Sequence, residues 1–180
     1  MYAAASIGIE SGGILLHRKI ASPIGELLLA GDQQGLKLIG FPQGKGQGTP
    51  RADWEWTENC FCDVESQLQE YFAGQRKNFD LTLSPSGTEF QLSVLQALQT
   101  IPCGETRSYQ QIAEQIGRPD AVRAVGAANG RNPLPIVIPC HRVIGSNGSL
   151  TGFGGGLETK AYLLRLEGVE LALPTQHSLF

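Results

Sequence analysis

Of the four cysteines in this sequence, at positions 60, 62, 103 and 140, one stands where chemistry is favoured. Pro139-Cys140-His141-Arg142 follows directly on the apolar run Leu134 to Ile138, which reads as a buried strand, so the core rather than a flexible loop would aim the thiol. A thiol attacks only as thiolate, and a neighbouring base or cation is the usual means of populating that form near neutral pH. Adjacent residues in extended chain point to opposite sides, so Cys140 and His141 are expected to communicate through a bridging water rather than by direct contact. An acidic group should then orient the imidazole. The pair alone does not decide between this reading and a core cysteine beside a surface histidine.

The elements that must position that thiol can be traced along the chain. Ile14 to His17, Glu26 to Ala30 and Leu36 to Phe41 are short apolar runs separated by turn residues, which predicts an antiparallel meander. Gly44 to Pro50 has no periodicity and reads as a mobile loop. Val64, Leu68, Tyr71 and Phe72 recur at helical spacing up to Gly74, and Phe79, Leu81 and Leu83 alternate as a strand would. Ser84-Pro85-Ser86-Gly87 is a natural boundary, giving an amino-terminal α/β domain over 1–87 and a second domain over 88–180.

In the second domain, Thr88 with Gln91 forms a capping box for a helix carrying Phe90, Val94, Leu98 and Ile101, ended by Pro102. Ser108 with Gln111 starts a short helix burying Ile112, Ala113 and Ile116 and stopping at Gly117. Pro119 suits the first turn of the next helix, running through Val122, Val125 and Ala128 and ending before Asn129-Gly130. Two short helices joined by a glycine-containing turn spell a helix-turn-helix, although such pairs also occur in ordinary cores. Asn147-Gly148 between Val143-Ile144 and Leu150 signals a hairpin, and a last helix over about Leu157 to Glu167 is closed by Gly168.

The formal net charge of -3 conceals an uneven distribution. Residues 1–84 carry seven Lys/Arg against ten Asp/Glu, whereas 118–142 holds Arg118, Arg123, Arg131 and Arg142 against Asp120 alone, a locally positive segment that a narrow anionic partner would suit. No stretch approaches the roughly 18 apolar residues of a membrane span, and Met1 to Glu10 lacks the flank of a secretion signal. A cytoplasmic protein with free thiols is expected. Cys60 and Cys62 are too close together for the usual metal spacing, so neither metal nor other cofactor is expected.

The run Ile138-Pro139-Cys140-His141-Arg142-Val143-Ile144, with Ser108-Tyr109, Arg123-Ala124-Val125-Gly126, Asn132-Pro133 and Gly154-Gly155-Gly156, closely resembles the O6-alkylguanine-DNA alkyltransferases over about residues 88 to 169. The resemblance implies an α/β plus α fold, with a small ribonuclease H-like amino-terminal domain followed by a winged helix-turn-helix-like DNA-binding domain. It implies that Cys140 accepts the alkyl group once per molecule, that His141 acts as its base through water, and that Glu167 orients the histidine. By the same resemblance Asn132 ties the recognition helix to the active-site strand, Arg123 is the finger that fills the place of a flipped-out nucleotide, and Tyr109 assists rotation and proton delivery. Ser108, Ala124, Ala127 and Ala128 would meet the minor groove, and Pro135, Val143, Phe153, Gly154 and Gly155 would support the base pocket. The implied partner is double-stranded DNA containing O6-alkylguanine, bound by a monomer.

Two positions depart from the commonest family pattern: Phe153 stands where some members have tyrosine, and Gly154 where some have serine. A hydroxyl donated there to the leaving oxygen would have to be replaced by backbone N–H groups or by Tyr109. The competing readings are a non-catalytic helix-turn-helix module, in which Cys140 is only a core residue, and a cysteine hydrolase, which would turn over.

Overall fold

The computed structural model describes residues 14–42 and 49–171, so most of the Gly44 to Pro50 stretch and all of Met1 to Glu10 lie outside the described residues. The expected meander is present as β1 (Leu16–Ile20), β2 (Leu27–Asp32) and β3 (Gly35–Gly40), antiparallel with Leu16 opposite Gly31 and Leu28 opposite Gly40. Leu27 to Ala30 are all buried. Successive side chains of a strand point to opposite faces, so both faces of β2 are covered, which is why it reads as a continuous apolar run rather than an alternation. A fourth strand, β4 (Glu55–Trp56), joins β1 in parallel and completes the order β3-β2-β1-β4. Two residues carry no periodicity, and the sequence offered no signal for it. The helix α1 (Cys62–Phe72) sets Val64, Leu68 and Tyr71 into the core, one face of a 3.6-residue repeat.

The strand expected over Phe79 to Leu83 does not form. Only Leu83 pairs, with Leu36, through Leu36 N–H to Thr82 O and Ser84 N–H to Leu36 O. Upstream, the Gln67 side chain takes both backbone groups of Asp80 that a ladder would need, and downstream Pro85 has no N–H to extend it.

Helix α2 (Glu89–Gln99) and helix α3 (Tyr109–Gln115) both start on complete capping boxes, Thr88 with Gln91 and Ser108 with Gln111. Helix α4 (Val122–Gly130) packs across α3 as the second member of the helix-turn-helix. Pro119 precedes it rather than entering its first turn: Ala121 N–H closes on Arg118 O, and proline occupies the second position of that turn, where its fixed φ suits. Asn129 and Gly130, expected just past the helix, are its last residues.

Two further expectations fail around the cysteine. Leu134 to Ile138 is buried but not a strand: Pro135 and Pro139 lack donors, Ile136 sits at φ 74, and Ile138 N–H turns back onto Leu134 O. What the apolar run encoded was burial. The Asn147-Gly148 turn forms, with Gly145 N–H on Ser149 O and Asn147 Oδ1 accepting from Ser149. It closes no hairpin, because β6 (Val143–Ile144) pairs in parallel with β5 (Arg107–Ser108). The last helix, α5 (Leu157–Leu166), ends before Gly168 at φ 83.

One hydrophobic core runs through both parts, from Leu29, Ile39 and Tyr71 by way of Leu98 to Val125, Ile138 and Leu163. Backbone joins them too, Ile39 N–H donating to Pro133 O at 2.8 Å. Among the described residues no helix is long and apolar enough to cross a membrane. Since the Thr88 hydroxyl accepts the Gln91 N–H at the start of α2, Thr88→Ala should lower unfolding stability by about 1 kcal/mol in urea titration, with an unchanged denaturant slope.

Candidate active site

Between α4 and β6 the chain is held by Asn132, buried just past the end of α4. Its Oδ1 accepts Leu134 N–H at 3.0 Å and its Nδ2 donates to Ile138 O at 2.8 Å, so one side chain closes the loop on both sides. Pro139 then leads into a 3-10 turn over Cys140–Arg142. The turn corrects the expectation of extended chain here, since its three side chains fan around a tight bend instead of alternating. Asn129 adds a longer contact, Nδ2 to Cys140 O at 3.4 Å.

Cys140 is 4% exposed and forms part of the floor of a cavity of about 760 Å³. The wall comprises Tyr109 at the start of α3, Gly126 and Asn129 of α4, Asn132 and Pro135 of the loop, and the 151–156 segment. Phe41, from the end of the amino-terminal sheet, completes it by packing on Phe153 with ring centres 5.3 Å apart. Gly155 fits closely at this contact, for a Cβ there would lie 3.0 Å from the Phe41 ring and 3.1 Å from Phe153, and both rings would have to give by a few tenths of an ångström. Gly156 has φ 87, a conformation that admits glycine most readily, and from it α5 departs. The volume is within the range of pockets that enclose a small organic group.

Burial pushes the Cys140 thiol up to about 11, while hydrogen bonding from Asn132 and the nearby Lys160 ammonium pull it back. Lys160 is itself buried, with Nζ donating to Val143 O at 2.6 Å and Thr151 O at 2.8 Å, and desolvation brings it down to about 8. Burial also lowers His141 below its ordinary value, against the opposing pull of Glu167, so the imidazole is neutral at pH 7.

Glu167 follows α5, and its side chain is 1% exposed. Oε1 accepts from His141 Nε2 at 2.8 Å, Arg142 Nη2 at 2.9 Å and the Tyr71 hydroxyl at 2.7 Å; Oε2 accepts from Arg142 Nε at 2.8 Å. Burial alone would raise this carboxyl, but the His141 and Arg142 donors outweigh it and hold Glu167 at about 2. An ionised carboxylate only accepts, so Nε2 carries the imidazole proton and Nδ1 keeps its lone pair. That Nδ1 is buried without a partner among the described residues.

The structure thus brings Cys140, His141, Glu167 and Asn132 together around one turn, with Tyr109, Pro135, Phe153, Gly154 and Gly155 at the cavity. Val143 is not part of the wall; it is fully buried beneath, paired with Arg107 and accepting from Lys160. Arg123, Ala124 and Ala127 are exposed on α4, as a groove-binding face needs, but Ala128 is buried and faces the core one turn on. Ser108 is partly buried and its hydroxyl caps α3. Arg142, counted in the sequence as a free cation, is buried in the ion pair with Glu167, which leaves Arg118, Arg123 and Arg131 exposed.

Sequence reasoning missed Tyr71, Arg142, Lys160, Asn129 and Thr151. Tyr71 read as a helix-face aromatic, and nothing in its spacing points to a partner as distant as residue 167; Lys160 drew no reading, and its partners are two carbonyls, Val143 O and Thr151 O. Thr151 had a signal of sorts: with Phe153 and Gly154 lacking hydroxyls, the nearest hydroxyl in that segment donates to the Tyr109 hydroxyl at 3.2 Å.

Comparison with known proteins agrees with this geometry. A family model described as 6-O-methylguanine DNA methyltransferase, ribonuclease-like domain, matches residues 15–85, and one described as the DNA binding domain of the same methyltransferase matches 89–169. The methylated-DNA–protein-cysteine methyltransferase of Methanosarcina acetivorans is 55% identical over 147 residues, covering 82% of this chain and 94% of the relative. That of Mycolicibacterium paratuberculosis is 53% identical over 153 residues, covering 84% and 91%. The crystal structure of Mycobacterium tuberculosis OGT in complex with DNA has a TM-score of 0.80 and 49% identity, over 84% of this chain and 92% of that one.

The buried network sets a pH dependence. Glu167, lowered from 4.5 to about 2, contributes stability present above pH 4.5 and lost as the pH falls toward 2, on the order of 3 kcal/mol. His141, lowered from 6.5, adds stability lost as the pH falls below that value, whereas Lys160 at about 8 has already taken its proton. Thermal melts from pH 7 to 3 should therefore show Glu167→Gln well below the parent protein at neutral pH and the gap closing with acid. A gap that stays constant would contradict the assignment.

Proposed function

The chain belongs to the 6-O-methylguanine DNA methyltransferase family and acts in DNA repair by moving an alkyl group from DNA to a protein cysteine, and we propose that Cys140 Sγ is the receiving atom. The observation that carries this reading is the buried thiol opening on a 760 Å³ cavity with the His141–Glu167 pair behind it. The lesion is O6-alkylguanine in a duplex. A base stacked in the helix cannot reach a thiol at the bottom of a cavity, so its nucleotide rotates out, at a cost of a few kcal/mol. Helix α4 enters the minor groove with Arg123, Ala124 and Ala127 outward, the small side chains permitting close approach and Arg123 taking the vacated place. The protein works as a cytoplasmic monomer in two parts, 1–87 as scaffold and 88–180 as the reacting domain.

In the step itself the thiol proton passes to His141 Nδ1 through one water, and Glu167 stabilises the imidazolium by accepting from Nε2. The thiolate attacks the alkyl carbon, the S–C bond forms as the C–O6 bond breaks, and the electron pair leaves on guanine. Tyr109 supplies a proton to the departing base; the Thr151 hydroxyl donates to its oxygen and leaves the phenol O–H free to face the cavity. This replaces the hydroxyls absent at Phe153 and Gly154. The thioether is not hydrolysed, so each molecule reacts once.

Mixed with a duplex containing O6-methylguanine, the protein should gain one methyl mass on the peptide holding Cys140, and Cys140→Ala should gain none. More than one methyl removed per protein would point to a turning-over hydrolase instead. Arg123→Ala should slow transfer from duplex DNA by on the order of tenfold or more while leaving reaction with free O6-methylguanine within about twofold, as single-turnover rates would reveal. Equal slowing on both substrates would refute the role assigned to Arg123.

A further inference from the structure

We infer that Tyr71, on a helix of the amino-terminal part, is a positioning residue for the transfer, because its hydroxyl donates at 2.7 Å to the same Glu167 oxygen that holds His141. The inference rests on the reading of His141 as proton acceptor. Tyr71 is 2% exposed and its ring is fixed by Phe72 and Phe79, with centres 5.5 and 5.4 Å away. The hydroxyl meets Glu167 and no other hydrogen-bonding group among the described residues.

Glu167 Oε1 accepts from three donors, Tyr71, His141 and Arg142, more than its two lone pairs serve singly. A carboxylate so occupied is a weak base. It attracts the imidazolium electrostatically yet leaves the proton on the ring, and it keeps the neutral imidazole available at physiological pH by drawing less strongly on Nε2–H. Tyr71 is held in its protonated, donating form by burial and by the adjacent carboxylate, both of which push its ionisation upward. The groups facing this network are Arg142 of the 3-10 turn, which bears on Tyr71, His141 and Glu167; Lys160 of α5, which bears on His141; and Cys103 of the loop after α2, which bears on Tyr71. Each of these is kept in Tyr71→Phe, which deletes one oxygen from the core.

Without that donor Glu167 becomes more basic and binds His141 more strongly in its charged form. The pH at which His141 loses its proton then rises. Single-turnover methyl transfer from duplex DNA should show its ascending pH limb moved upward by about half a unit in Tyr71→Phe, with slowing that grows toward a limit of about threefold on the acid side of the limb and convergence with the parent rate in alkaline solution. The His141 imidazole resonances, followed by NMR without DNA, should titrate in the same direction. Phe72→Leu serves as the packing control: it should lower the melting temperature and leave the limb in place. Tyr71→Phe with an unmoved limb and an unmoved His141 titration, or with a rate reduced by one factor at every pH, would overturn the role while leaving the proposed function intact. If the parent protein transfers no methyl group the proposed function fails and the role in transfer fails with it, and the NMR titration then reads only whether Tyr71 sets the state of His141.

Discussion

A single buried carboxylate organises this molecule. Glu167 gathers His141 and Arg142 from the turn that carries the thiol and Tyr71 from the opposite part of the chain; without Glu167 the Tyr71 hydroxyl and His141 Nε2 would be buried with no partner among the described residues, and Arg142 would keep only Ile101 O. Taking an ion out of water is expensive, and the expense is recovered only when every donor and acceptor is matched. Here the match is nearly complete on the carboxylate, and among the described residues the orphan is left at His141 Nδ1, the atom proposed to receive the thiol proton. The electrostatic cost and the proposed reactive role lie on one imidazole ring.

The cysteine is treated in the opposite way. Desolvation keeps it a thiol at rest, and the groups that favour its anion, Asn132 and Lys160, do not fully offset that burial. A thiol in this state is a poor target for oxidants and stray electrophiles, because the attacking form is scarce. Reactivity is therefore conditional on a ligand in the cavity and a proton acceptor beside it. Ile136, a β-branched residue at φ 74, holds a strained backbone conformation in the buried loop that leads to this cysteine.

Most of the architecture was legible because local signals coincide with it. Two capping boxes set the starts of α2 and α3, and turn residues marked the meander. The failures share a cause. Leu134 to Ile138 and Phe79 to Leu83 have strand-like composition, but their backbone groups are claimed by Asn132, Gln67 and prolines, and a hydrophobic pattern reports burial without reporting who takes the hydrogen bonds. Likewise Arg142 and Lys160 look like surface charge in one dimension, and only the three-dimensional arrival of Glu167 or of two carbonyls makes them interior. Cys140, His141 and Glu167 could be named from the family likeness, whereas Tyr71 required coordinates, since its partner is 96 residues away.

That separation bears on how the molecule is made. Phe41 and Tyr71 emerge from the ribosome long before the segment that they complete, and Glu167 emerges after the cysteine it helps to govern. During synthesis the thiol is present without its acceptor pair, its cavity or its desolvating walls. The arrangement around the thiol therefore forms only when distant contacts close, and such long loops are slow to close relative to helices. A growing polypeptide in this way holds an ordinary, solvated thiol until residue 167 is in place, and only the complete chain presents the buried one.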